Sequence, residues 1–216
     1  MSSLKTFFFV VVVSAPMGLV PCIASAEART GFLLRLNTGF GYTHVSREVG
    51  GVHGEEHTKG ASAVGQLAIG GFVAPNIALH ATFFSQQMFN PIHHNDGGDV
   101  DDGDADVVVR SGGFGGGFTY YFTPAELLFS ASIGFGRLET ESRSGNLTQR
   151  EEGEIGLASS VLLAKEWPVS EHWSLGVGLQ FDYAQLPALS TSRCVRACDD
   201  HATSMGGGGV FSASYH

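Results

Sequence analysis

The chain is short of charge, of lysine and of long apolar runs. Charged residues are 15% of its 216 positions, whereas a soluble surface usually carries about 25–35%. After residue 26, lysine occurs only as Lys59 and Lys165. With a formal net charge of −9 there is no basic face for phosphates, which excludes nucleic acid as a partner. Beyond the first segment no run approaches the ~18 apolar residues of a membrane helix. That absence does not exclude a membrane β-barrel, whose strands are half polar and escape hydropathy scans. Cysteine is scarce: Cys22, Cys194 and Cys198.

What is present begins with a leader. Residues 1–26 read as a secretory signal peptide: Lys5, an apolar run from Phe7, and Ala24-Ser25-Ala26 as a small-residue cleavage site. Ser14 and Pro16 break the run, so it makes a poor spanning helix. Cys22 follows Pro21, where a lipoprotein signal wants a small residue. The remaining domain is 27–216.

That domain is organised around one stretch, Trp173 to Tyr183. Trp173, Leu175, Val177, Leu179, Phe181 and Tyr183 alternate with Ser174, Gly176, Gly178, Gln180 and Asp182. Strand side chains alternate sides, so this is a strand with one apolar and one small, polar face. Ten residues at ~3.4 Å, tilted by ~40°, rise roughly 26 Å, the height of the apolar band of an outer-membrane barrel.

Seven further stretches repeat the pattern, near 32–43, 61–73, 77–85, 107–122, 127–138, 155–164 and 202–215. In the first, Phe32, Leu34, Leu36, Phe40 and Tyr42 oppose Leu33, Arg35, Asn37, Gly39 and Gly41. In the fourth, Phe114, Phe118, Tyr120 and Phe122 are in phase with Arg110. Ala74-Pro75-Asn76 and Thr123-Pro124-Ala125-Glu126 are short turns, and 165–172 reads as a third. The other connections, 46–60, 86–106, 139–154 and 185–201, are long and polar. Short turns at one end and long loops at the other, with an even strand count, define an all-β, eight-stranded antiparallel up-and-down transmembrane β-barrel. A secreted, soluble, lipocalin-like barrel would use the same alternation with its apolar face inward. Its exterior would then be mostly Gly, Ser, Ala, Asn and Gln, too bland for a soluble protein.

On these residues the chain, over about 27–216, resembles small eight-stranded outer-membrane barrels of the OmpA/OmpX/OmpW-like type. The run Lys165-Glu166-Trp167-Pro168-Val169-Ser170-Glu171-His172-Trp173 also looks like a turn of uncharacterised outer-membrane barrel proteins. The resemblance implies a bacterial outer-membrane location, with membrane lipids and the barrel-insertion machinery as partners, and a monomeric state. Such barrels usually end in Phe or Trp; here the aromatic is Tyr215, followed by His216.

Candidate chemistry is concentrated in the long loops, which hold 16 of the 21 acidic residues. Asp99, Asp101 and Asp104 lie in the run Asp96–Asp106, where glycines let the loop wrap a hard cation, so they are the candidate set for a weak Ca²⁺ site. The spacing is not that of an EF-hand. A solvated charge run is the weightier reading, and His93 and His94 would suit a transition metal. No cofactor is otherwise expected. Cys194 and Cys198 should pair in an oxidising compartment, contributing roughly 2 kcal/mol through so small a loop. A thiol–imidazole metal site with His201 is the alternative. His44, His53, His57 and His201 share the loop side, where a metal- or pH-responsive surface competes with simple solvation.

His44-Val45-Ser46 and His172-Trp173-Ser174 place a base beside a hydroxyl, but neither has an evident third group. The small inward residues, among them Gly134, Gly136, Gly176 and Gly178, either ease strand curvature or leave a wet cavity. The expected role is therefore a non-enzymatic, structural or surface-interaction barrel whose acidic loops do the interacting. A narrow channel for small or hydrophobic solutes is the runner-up. The sequence names no surface ligand.

Overall fold

The computed structural model describes residues 29–49, 54–89, 91–95, 98–100, 106–144, 147–153, 155–187 and 201–216; the expected leader falls outside them. They form strands β1 (Phe32–Val49), β2 (Gly54–Ala74), β3 (Ile77–Phe89), β4 (Ile92–Asn95), β5 (Gly98–Val100), β6 (Asp106–Phe122), β7 (Leu127–Ser144), β8 (Leu147–Glu152), β9 (Gly156–Pro168), β10 (Trp173–Pro187) and β11 (His201–Tyr215). Among the described residues, eight of these (β1, β2, β3, β6, β7, β9, β10 and β11) pair antiparallel, each with the next. β1 then pairs with β11, from Leu34 opposite Tyr215 to Arg47 opposite Ala202. The sheet is closed, so the wall has no free edge.

The faces are inverted relative to a soluble protein. Phe40 is 80% and Leu179 68% exposed, while Arg35 is 0% and Gln180 2% exposed. Odd positions of β10 face outward and even ones inward. An apolar exterior around a polar lumen is stable when the surroundings are lipid, and a closed barrel satisfies every wall amide there. The soluble alternative needed Leu175, Val177, Leu179 and Phe181 inside; all four are exposed on the outer wall. The architecture is that of an outer-membrane β-barrel.

The turns at one end match expectation. Asn76 takes positive φ, 65°, at the first turn, a conformation Asn tolerates. The second is a short 3₁₀ turn, Thr123–Ala125, closed by Glu126 in the left-handed region with its N–H on the Thr123 carbonyl. β2 carries a register shift between Phe72 and Ala74. Phe72, in the same inward phase as Gln66 and Ala68, sets its ring against Tyr121, 5.7 Å between centroids.

Several boundaries differ from the sequence reading. The expected loop 46–60 is largely strand, because β1 runs on to Val49 and β2 begins at Gly54. Parts of 86–106 and 139–154 also pair, as β4 on β2, β5 on β4 and β8 on β7. Above the apolar band no face has to be apolar, so polar residues continue the ladder without the alternation that marks a strand. Finally, 165–168 is strand, not turn: β9 continues to Pro168, and Glu166 pairs with Gly176.

Inside, two apolar clusters bracket the polar lumen. Leu33, Tyr121, Leu128 and Leu162 belong to the one toward the short turns. Val45, Met88, Leu138 and Leu186 belong to the one toward the long loops.

Candidate functional site

The lumen is built from the inward positions of all eight strands, and its polar side chains lie in layers between and beyond those clusters. At the short-turn mouth, Glu166 is buried and accepts from the Ser212 and Ser214 hydroxyls, both at 2.6 Å. Arg29 enters from the segment before β1. Its guanidinium donates to Glu166 Oε2 and to Ser174 Oγ, each at 3.3 Å, and lies 4.2 Å from the Tyr121 ring centroid. Its backbone is held by the first turn: Arg29 N–H donates to Asn76 Oδ1 at 3.0 Å, and Asn76 N–H to the Arg29 carbonyl at 3.2 Å. The mouth is thus clasped by an ion pair between half-buried Arg29 and buried Glu166.

Deeper, Arg35 spans the lumen from β1. It donates to Thr119 Oγ1 on β6 at 3.0 Å and to Ser130 Oγ on β7 at 2.7 Å. His80 on β3 joins the same group, bonding Thr82 at 2.7 Å and Thr119 at 2.9 Å. The Thr82 hydroxyl in turn meets that of Ser132 at 3.0 Å.

A third layer runs from Asn37 Nδ2 to Gln66 Oε1 at 2.8 Å and from Gln66 Nε2 to Ser160 Oγ at 3.0 Å. Asp182 lies beside Ser160 and accepts from Gln86 Nε2 at 2.9 Å and from Gln180 Nε2 at 3.0 Å. Gln86 Oε1 accepts from Thr43, whose oxygen also meets Ser62. Among the described residues, long polar side chains cross the bore between the small inward residues.

Several glycines serve close strand approach instead. A Cβ on Gly134 would overlap the Phe114 carbonyl and Gly115 Cα. One on Gly178 would lie 2.6 Å from Ala164 Cβ.

The outer wall changes character at both rims. At the short-turn end Lys165 sits over Trp167, 5.7 Å from its ring, and Trp173 packs edge-on against Tyr215 at 5.4 Å. Aromatic and cationic side chains of this kind mark a membrane–water boundary. At the long-loop end Arg110, outward as its phase required, pairs with Glu141 at 3.5 Å, and Arg137 pairs with Glu139.

Beyond that rim, His44 and His57 stack at 5.4 Å. The Ser46 hydroxyl bonds His44 Nε2 at 3.0 Å and His57 Nδ1 at 3.2 Å. The sequence reading saw no partner for His44 and Ser46; β1–β2 pairing of Ser46 with His57 supplies one. The other candidate pair separates. Ser174 turns into the lumen against Arg29, while His172 is exposed, its ring tilted against that of Tyr215 at 5.6 Å.

Asp99 is placed only as backbone, opposite His94 in the β4–β5 pair. Asp101, Asp104, Cys194 and Cys198 lie outside the described residues. Among the described residues, no three His, Cys, Asp or Glu side chains converge as metal ligands.

Glu166 and Arg29 were missed by the sequence reading. Glu166 carried a usable signal, since Leu163, Lys165 and Trp167 continue the outward phase and leave 166 inside. The charged Lys-Glu pair reads as turn and cut the strand short. Arg29 precedes the first alternating residue and had no signal.

Wall and lumen together define the class: a closed, eight-stranded outer-membrane β-barrel with a polar, side-chain-filled interior. No protein-family model matches the chain, and no curated protein sequence does. Solved structures of the same architecture do. Neisserial surface protein A shares 10% identity at a TM-score of 0.46, covering 86% of this chain and 97% of its own. Outer membrane protein OprG from Pseudomonas aeruginosa shares 10% at 0.47, covering 88% and 98%. The attachment invasion locus protein Ail of Yersinia pestis shares 10% at 0.41, covering 85% and 99%. These are likenesses of fold alone; the assignment to the class rests on this chain's own wall and lumen.

Proposed function

We propose that the protein is a non-enzymatic, monomeric outer-membrane barrel with a structural and surface-interaction role, a closed pedestal for acidic external loops. The observation that carries this reading is the layered lumen, where Arg35 bridges β1 to β6 and β7 and a clasped ion pair fills one mouth. A conduit needs a continuous wet path, and crossing hydrogen bonds of this kind oppose one. The sequence adds the loop chemistry: a rim rich in Asp and Glu favours cationic partners and divalent ions.

Two measurements test the reading together. In planar bilayers the purified protein should give no conductance steps. Vesicles containing it should retain fluorescent polylysine, and should lose that binding when 93–106 is replaced by a Gly/Ser linker while the folded, heat-modifiable gel band remains. Reproducible conductance, or polylysine binding unchanged by the replacement, would favour the channel reading or an inert scaffold.

One observation favours a second, hydrolytic reading: the Ser46 hydroxyl in contact with two imidazoles just above the apolar wall. An imidazole within hydrogen-bond reach is the arrangement that activates a serine. A fluorophosphonate probe would label Ser46 if it is a nucleophile, with labelling lost in Ser46→Ala. The surface-interaction reading expects no labelling in either.

A further inference from the structure

We propose that the outer face of the β1–β2 hairpin, just above the apolar wall, binds one zinc ion, with His44 Nε2 and His57 Nδ1 as its nitrogen ligands and a carboxylate of the next rung as its third. His44 and Ser46 stand on the outward face of β1, since Thr43 and Val45, which alternate with them, are buried inward. His57 stands on the outward face of β2, beside inward Thr58. Below them on the same face is the exposed Tyr42 ring. The two strands pair without a break, from Phe32 opposite Gly71 to Val49 opposite Gly54. The ladder therefore fixes the spacing of these side chains, as a loop would not.

The two imidazoles converge on one point. The Ser46 hydroxyl lies 3.0 Å from His44 Nε2 and 3.2 Å from His57 Nδ1, and the rings stack at 5.4 Å with 24° between their planes. A hydroxyl has one proton to donate. It can meet the lone pair of one of these nitrogens and must accept from an N–H on the other. A metal ion takes both lone pairs at once. Zinc binds imidazole nitrogen at about 2.0–2.1 Å, so each nitrogen need close by only about 1 Å as the Ser46 side chain rotates aside. Imidazole ligands suit zinc, copper or nickel rather than calcium or magnesium.

The next rung supplies the charge. In the same outward phase, Glu48 is paired directly with Glu55, one rung beyond Ser46 and His57. Like charges directly opposite one another destabilise a sheet, and a divalent cation between that rung and the imidazoles reverses the effect. Lys59, opposite His44, is the cation already on this face; one ammonium against two carboxylates leaves the face negative. Two imidazoles and one carboxylate, with a fourth position open to water, form a known zinc donor set. The nitrogens that zinc engages are those that would activate Ser46, so metal binding and hydrolysis exclude each other at this cluster.

The test uses the full barrel, folded in detergent and stripped of metal with a chelator. Calorimetric titration with zinc chloride should show one ion bound per barrel, with no competition from magnesium. His44→Ala and His57→Ala should each weaken binding at least about tenfold, no less than the loss of an outer-shell partner costs. The double variant Glu48→Gln/Glu55→Gln should do the same. Ser46→Ala should still bind zinc, whereas a nucleophilic Ser46 would lose its probe labelling in that variant. If a histidine variant fails to give the heat-modifiable band, the wild type decides instead. Zinc should then protect His44 and His57 from diethylpyrocarbonate, read by mass spectrometry. Absence of zinc binding, binding unchanged by the histidine or the glutamate substitutions, binding lost in Ser46→Ala, or no protection of the two histidines would overturn the site.

Discussion

Individual residues in this barrel follow rules opposite to those of a soluble domain. The inward positions are where polar chemistry is held, so they are where substitutions should cost most. Glu166→Ala removes the acceptor shared by Arg29, Ser212 and Ser214 and leaves a half-buried guanidinium without its carboxylate. Breaking a pair with one fully buried partner costs up to about 3 kcal/mol, readable as a lower urea midpoint for loss of the heat-modifiable band. Arg110→Ala breaks an exposed pair with Glu141 and should change the same midpoint by less than about 1 kcal/mol. If the two variants behaved alike, the clasp would have no special weight. Glycines divide in the same manner. Gly116→Ala meets open space, while Gly134→Ala runs into the backbone of β6. The first should fold as well as wild type and the second should reduce the folded fraction on refolding into detergent.

At the scale of the strand, legibility depended on whether lipid imposed a pattern. Trp173–Tyr183 could be read directly because each outward residue had to be apolar and each inward one small or polar. The same held for Phe32–Tyr42 and for the aromatic phase of β6, including the outward placing of Arg110. Where the wall rises out of the bilayer the constraint lapses. Strand residues such as Ser46, Arg47, His57 and Thr58 then look like loop although they pair residue by residue. The lumen was half legible. Arg35, Gln180 and Asp182 stood out as polar inward positions, but which layer each joins depends on strand stagger, which no single strand encodes. Glu166 was hidden by a charged pair that mimics a turn. The His44–Ser46–His57 contact required β1–β2 register. A charge placed mid-strand on the outer face tests the element directly. Leu179→Arg should cost about 2–4 kcal/mol in a bilayer, near the value for a barrel midplane. Arg substituted at Gln185, an exposed position near the long-loop end of the same strand, should cost little. Equal costs at both positions would place the apolar band elsewhere.

For the whole molecule, closure is the central structural fact. The β1–β11 pairing removes the last free edge, and the inverted faces follow from the solvent being lipid outside and side chains inside. The most direct measurement is a nitroxide scan along β10, one label at each position from 174 to 182 except Gly176 and Gly178, where a side chain would meet the neighbouring strand, in lipid vesicles. Collision rates with oxygen, which partitions into lipid, should alternate with a period of two. They should be high at 175, 177, 179 and 181 and low at 174, 180 and 182. The even positions should also be shielded from a water-soluble nickel complex, because the lumen is filled. Oxygen accessibility that peaks at the even positions, or free access of the nickel complex to them, would contradict a closed barrel with its apolar face in lipid.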